Sequence, residues 1–163
     1  IAIEKTLSNT ESRTKFRCSM SGIVSFDDDA GCLRTYATLR IYSGDIAPNE
    51  ISEILGLEPS RVWNKGSTET ATPRKQNGWF LTSRGEVESL DTKRHVDFIL
   101  NQLEDNKAYI VGLTAQGLQV DIMCLWQSAK KSEGGPSLLP AQMLLLAEMG
   151  IAITWNIYVD NNS

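Results

Sequence analysis

The residues best able to do chemistry sit in one short run, Arg61-Val62-Trp63-Asn64-Lys65. Alternate side chains of an extended strand point to opposite faces, so Arg61, Trp63 and Lys65 share one face and Val62 and Asn64 the other. An indole between two cations can hold an anionic ligand or an acidic partner loop, through cation–π contact and charge-assisted hydrogen bonds. Trp and Arg are also the residues most enriched at interface hot spots. The competing reading is structural: Trp63 packs in the core, or lies under the Arg and Lys stems at a solvated face.

Trp79, Trp126 and Trp155 lie in strand-like runs with apolar neighbours. With Trp63 they could line a small-molecule pocket, since such pockets are mostly apolar with a few polar groups. Their alternation fits core packing better. Tyr158 shares a face with Asn156, opposite Trp155, and is a further candidate for that pocket.

His95 is the lone histidine of the chain. Without a triad context it reads as a surface helix residue that can pair at i, i+4 with Asp91. One histidine and three scattered cysteines (Cys18, Cys32, Cys124) supply no zinc-site spacing. Cys124 falls mid-strand among apolar residues and reads as an inert buried thiol, while Cys18 and Cys32 have no strongly activating basic motif beside them. Asp27-Asp28-Asp29 lacks the glycine and terminal glutamate of a calcium loop and reads as a solvated patch. Asp121 is the best lone carboxylate for an enzyme, but no second group pairs with it. No phosphate-binding, dinucleotide, serine-elbow or zincin motif occurs. The expectation is a protein with no catalytic residues, no metal and no cofactor.

The elements that must position these residues begin where the pattern sharpens, at Thr35. Residues 1 to 34 are polar, Ser/Thr-rich and then acidic, an extension in which Ile23, Val24 and Phe26 add at most one short edge strand; residues 35 to 160 form one domain. Tyr36, Leu39, Ile41 and Tyr42 mark a first strand. Pro48 opens a helix whose Ile51, Ile54 and Leu55 share one face, and Gly56 closes it as a left-handed cap before Pro59. Ser60 to Lys65 and Gly78 to Ser83 read as two strands around a polar loop, Gly66 to Asn77. A helix starting near Ser89 or Asp91 carries the stripe Val96, Ile99, Leu100 and Leu103, and the apolar pattern resumes through Ile110, Val111 and Leu113. Leu118 to Trp126 alternates as a strand, the loop Ser128 to Pro136 follows, Pro140 to Met149 is an apolar helix capped by Gly150, and Ile151 to Val159 is the last strand. The order predicts an α+β domain: a single mostly antiparallel sheet with helices on one face, in a ferredoxin-like β-α-β-β-α-β-α-β order.

The composition narrows the function classes. Net charge is −4 and the pI is near 5.0, so the basic stripe of a nucleic-acid binder is not expected. The longest apolar window, Leu138 to Met149, is interrupted and too short to span a membrane. The start of the chain lacks the apolar core of a signal peptide, and the odd cysteine count favours reduced thiols in a cytoplasmic setting.

The chain resembles a bacterial family catalogued as domain of unknown function 4279. The resemblance is carried by Ile51 to Ser60 (I-S-E-I-L-G-L-E-P-S), Arg61 to Gly66 (R-V-W-N-K-G), Gly78-Trp79, Val120 to Gln127 (V-D-I-M-C-L-W-Q), Met149-Gly150, and Asn156 to Tyr158 (N-I-Y). It spans roughly Tyr36 to Val159, in order as well as in residue type. Asn156 departs from the acid more often found there in the family. The resemblance implies a bacterial, mostly cytosolic α+β domain without an established activity, some of whose relatives are suspected immunity or interaction proteins. Together these readings favour a non-enzymatic module that binds a protein partner through Arg61, Trp63, Lys65 and Trp79 with the adjoining loop. The rival is a small-molecule sensor with a pocket of Trp126, Trp155 and Tyr158.

Overall fold

A computed structural model describes residues 31–68, 72–129 and 134–160. The Ile23, Val24 and Phe26 strand candidate, the Asp27-Asp28-Asp29 patch and Cys18 fall outside the described residues. The elements run β1 (Cys32–Ser43), α1 (Pro48–Leu55), β2 (Arg61–Trp63), β3 (Asn77–Thr82), α2 (Thr92–Gln102), α3 (Lys107–Ala115), β4 (Gln119–Ala129), α4 (Pro140–Met149) and β5 (Ala152–Asp160). β1 reaches back to Cys32, three residues before the pattern sharpens at Thr35.

All five strands form one sheet in the order β2-β3-β1-β4-β5. The pairs β2–β3, β3–β1 and β1–β4 are antiparallel, and β4–β5 is parallel. The sheet expected to be mostly antiparallel is therefore mixed, with three antiparallel pairs and one parallel pair at its β5 edge. The cause is α4: a helical crossover returns the chain to the end where β4 began, so β5 must run in the same direction as its neighbour.

Alternation then sorts the strands into two faces. Ala37, Leu39 and Ile41 of β1, Trp79 of β3, and Val120, Ile122 and Cys124 of β4 join the buried residues of all four helices in one core cluster. Ile51 and Leu55 come from α1, Val96, Ile99 and Leu100 from α2, Ile110 and Leu113 from α3, and Leu146 and Met149 from α4. The helix ends follow their sequence signals. Gly56 and Gly150 close α1 and α4 at φ 61° and 65°, a left-handed conformation that costs a residue with a Cβ. Asp91 caps α2 by accepting the Lys93 amide at 3.0 Å. Gln142 is 1% exposed and locks α4 to α2, because its Nε2 donates to the Lys93 carbonyl and the Asp97 carboxylate while its Oε1 accepts the Leu139 amide. Among the described residues no helix is long and apolar enough to cross a membrane.

Candidate functional site

The second face of the sheet is different. None of its strand residues belongs to the core cluster that the helices share. The strand register lines them up in rows: Arg61, Phe80, Arg40 and Asp121 in one, Trp63, Gly78, Tyr42 and Gln119 in the next. A third row holds Thr82, Thr38, Met123 and Thr154, and a fourth Tyr36, Leu125 and Asn156.

At the β2 end of this face the aromatics meet. The Trp63 ring lies 4.2 Å from Phe80 and 6.1 Å from Tyr42, and Phe80 stands edge-on to Tyr42 at 5.6 Å. Such offset and edge contacts add to the burial of the rings. Two guanidinium groups flank the indole, Arg74 at 4.1 Å from the ring centroid and Arg61 at 5.5 Å. Arg74 is brought there by its loop: its amide donates to the Ser67 carbonyl at 3.1 Å and its carbonyl accepts the Gly66 amide at 2.8 Å. Its Nε–H is shielded from solvent and has no acceptor among the described residues. A donor in that position is a cost unless something supplies an oxygen.

Gly78 makes the cluster possible. A Cβ there would stand 2.5 Å from Trp63 Cε2 and 2.6 Å from Phe80 Cε2, so the indole can lie across β3 only if residue 78 has no side chain. Gly78→Ala is expected to cost about 1–3 kcal/mol through overpacking. Gly44→Ala, where a Cβ meets nothing within 4 Å, serves as the near-neutral control. Urea denaturation of the two variants checks this, and equal midpoints would mean that the ring does not lie over residue 78.

The structure divides the residues expected to act together. Arg61 and Trp63 do share the open face, but Lys65 does not join them. β2 ends at Trp63 because the Asn77 side chain takes the Lys65 amide at 2.8 Å, and the Lys65 ammonium donates to the Gly44 carbonyl at 3.2 Å. Arg74 takes the place expected of Lys65. Trp79 is fully buried on the helix side, where its indole N–H donates to Ser52 Oγ at 3.0 Å. It pairs with Val62 in register, and that parity puts it opposite Trp63.

The candidates for a tryptophan pocket divide by face, with Trp126 and Trp155 on the helix side of β4 and β5. Trp126 is buried and Trp155 packs against the helix-side core, while Tyr158 points to the other face and is 55% exposed. Two clefts of about 510 and 460 Å³ lie elsewhere, one at the end of β1 beside Gln116–Gln119 and one along α1 between Ser52 and Val62, and neither has a tryptophan in its lining.

Asp121, the lone carboxylate candidate, is fully engaged. It accepts from Arg40 Nε at 2.7 Å, from Arg40 Nη2, and from Thr154 Oγ1 at 3.2 Å, so β1, β4 and β5 are joined on the open face. The pairing raises the Arg40 pKa, and burial raises that of Tyr42 beside it.

His95 corrects another expectation, since it is 1% exposed rather than on the surface. Its Nε2 faces the Ser89 carbonyl at 2.9 Å, which can only accept, so Nε2 carries the proton and Nδ1 takes the Ser83 hydroxyl at 2.8 Å. Desolvation lowers its pKa against the pull of the Ser89 carbonyl and the Asp91 charge, keeping it neutral. A serine–histidine contact so enclosed, with no carboxylate behind the ring, ties β3 to α2 and gives substrate no approach. Burial pushes the Cys124 thiol up to about 12, which removes it as a nucleophile. Cys32 is also buried. Among the described residues no three His, Cys, Asp or Glu side chains gather to hold a metal.

What the open face presents is charge and aromaticity. Arg34 and Arg40 stand on it by strand parity and Arg61 beside them, Arg74 lies over Trp63, and Arg84 lies 5.7 Å from the Tyr36 ring. Five of the six arginines among the described residues thus stand here, in a chain of net charge −4. Among the described strand residues of this face Asp121 and Asp160 are the acids, and the first is spent on Arg40.

The family model described as domain of unknown function (DUF4279) matches residues 34–160, most of the chain, and the protein belongs to that family. No curated protein and no solved structure matches it significantly.

Proposed function

We propose that this member of the DUF4279 family is a protein-interaction module that takes an acidic segment of a partner protein on its open sheet face. The observation that carries the reading is the pair of guanidinium groups on one indole, Arg74 at 4.1 Å and Arg61 at 5.5 Å from the Trp63 ring centroid. A partner carboxylate pairs with the terminal nitrogens of Arg74 and Arg61, while an apolar side chain rests on the exposed part of Trp63. Stacked arginines on tryptophan are pre-organised, so less rotamer entropy is lost when the ligand arrives. The antiparallel block β2-β3-β1-β4 supplies the platform.

A carboxylate is favoured over a nucleic-acid phosphate. The patch is set in an acidic protein, its cations are arginines interleaved with aromatics, and nothing among the described residues extends it into the long basic track that cancels phosphate charge.

The test is a peptide library graded from strongly acidic to strongly basic, screened by fluorescence anisotropy. Acidic peptides carrying an apolar residue should be retained. Arg74→Ala should weaken them about tenfold or more, the worth of a hydrogen bond to a charged group, with an unchanged unfolding midpoint. Retention of acidic peptides that is indifferent to both Arg74→Ala and Trp63→Ala overturns the reading. So does displacement of the peptides by single-stranded nucleic acid at lower concentration.

A further inference from the structure

The two edges of the sheet are built in opposite ways. β2 is three residues long, carries the exposed Arg61 and is preceded by Pro59, all devices that discourage another strand from adding there. β5 has none of them. It is nine residues long, and its register against β4 runs without a bulge from Ala152 to Asp160. Ile153 to Val159 contains no charge, proline or glycine. Among the described residues β5 has a strand on one side only, and Ile157, Tyr158 and Val159 are 56%, 55% and 56% exposed. A long, regular, uncharged edge in water is a template for strand addition.

We propose that β5 pairs antiparallel with β5 of a second copy of this chain, about a two-fold axis at Asn156, joining the two sheets into one. The strand is complementary to itself. Opposed residues in an antiparallel pair share a face, so turning the strand about Asn156 sets Ile153 against Val159 and Trp155 against Ile157 on the helix side. Thr154 meets Tyr158 and Asn156 meets its own copy on the open side. Asp160, the one charge of the strand, falls opposite Ala152 at either end, so no like charges meet. A partner chosen by charge would find nothing to read between Ile153 and Val159. A two-fold contact that uses the same strand twice is closed and stops at two copies. The pairing uses the edge and leaves the Trp63 face free, so it stands or falls separately from the reading above.

Light scattering after size exclusion, on the full chain at micromolar concentration, should return the mass of a dimer. Ile157→Lys and Val159→Lys, both at exposed positions, should each return a monomer with unchanged circular dichroism. In a Cys18→Ser background, oxidation should cross-link Asn156→Cys to its own copy and leave Ile153→Cys uncross-linked, because the axis brings only residue 156 opposite itself within disulfide reach. A monomeric wild type overturns the proposal. A dimer that survives both lysine variants, or one that cross-links through position 153 and not 156, overturns it equally.

Discussion

Truncating Trp79 to alanine is expected to cost about 3–5 kcal/mol, while the same change at Trp63 should leave a folded protein that has lost its aromatic face. The two residues are of one type, sit on adjacent strands and are separated by one hairpin, so their difference is purely one of side. Trp79 is fully buried among Ile41, Ile51 and the rest of the helix-side core, and its N–H is satisfied by Ser52 on α1. Its removal opens a void between α1 and the sheet, and native stability of about 5–15 kcal/mol does not leave much beyond that. Trp63 is half-buried, and the side chains over it are the long stems of Arg74 and Arg61, which can close over the gap once the ring is gone. Chemical denaturation of Trp79→Ala, Trp79→Phe and Trp63→Ala settles the matter. Trp79→Phe should fall between the other two, since it keeps most of the volume and loses the N–H. Equal losses at positions 63 and 79 would mean that the sheet does not separate the two tryptophans.

Most of the scaffold was legible from local signals, because those signals are themselves local in physics. The Pro48 start, the Gly56 and Gly150 caps, the stripe from Val96 to Leu103 and the alternation from Val120 to Trp126 each depend on neighbours within a turn or a strand. What escaped depends on partners far along the chain. Lys65 belongs with Arg61 and Trp63 only while β2 continues, and it is Asn77, twelve residues on, that ends the strand. Arg74 lies in a loop without periodicity, and only the two backbone bonds between the loop arms bring it over Trp63. His95 reads as a surface residue because the groups that bury it, Ser83 and the Ser89 carbonyl, precede the helix. Two local signals in the sequence bear on what lies beyond them. A glycine directly before Trp79 marks a place where something crosses the strand closely, and once Trp63 is set opposite Gly78 the parity of Trp79 follows. A helix between the last two strands also implies a parallel pair, and hence a mixed sheet.

Asp121→Ala should be the costliest change at a charged residue of the open face, at about 3 kcal/mol, the lower end for breaking a buried ion pair. The carboxylate is 7% exposed and answers three donors from two strands, whereas the Arg40 side chain keeps 23% of its surface. Without Asp121 the guanidinium faces a partly desolvated site with no counter-charge, but its remaining access to water lets it swing outward and limits the loss. Replacing both partners with apolar residues of similar size, Arg40→Met with Asp121→Leu, should recover most of the stability, because the pair's attraction largely offsets the cost of desolvating it. A double-mutant cycle by thermal unfolding measures this, and a double variant no more stable than Asp121→Ala would mean that the pair itself supports the fold. Binding should move the other way. Asp121→Asn keeps the shape of the site but frees the Arg40 charge beside Tyr42, so it should tighten the capture of acidic peptides even as it lowers the unfolding temperature. If affinity falls together with stability, Arg40 acts on the ligand only when Asp121 holds it, and the ion pair belongs to the binding site as well as to the fold.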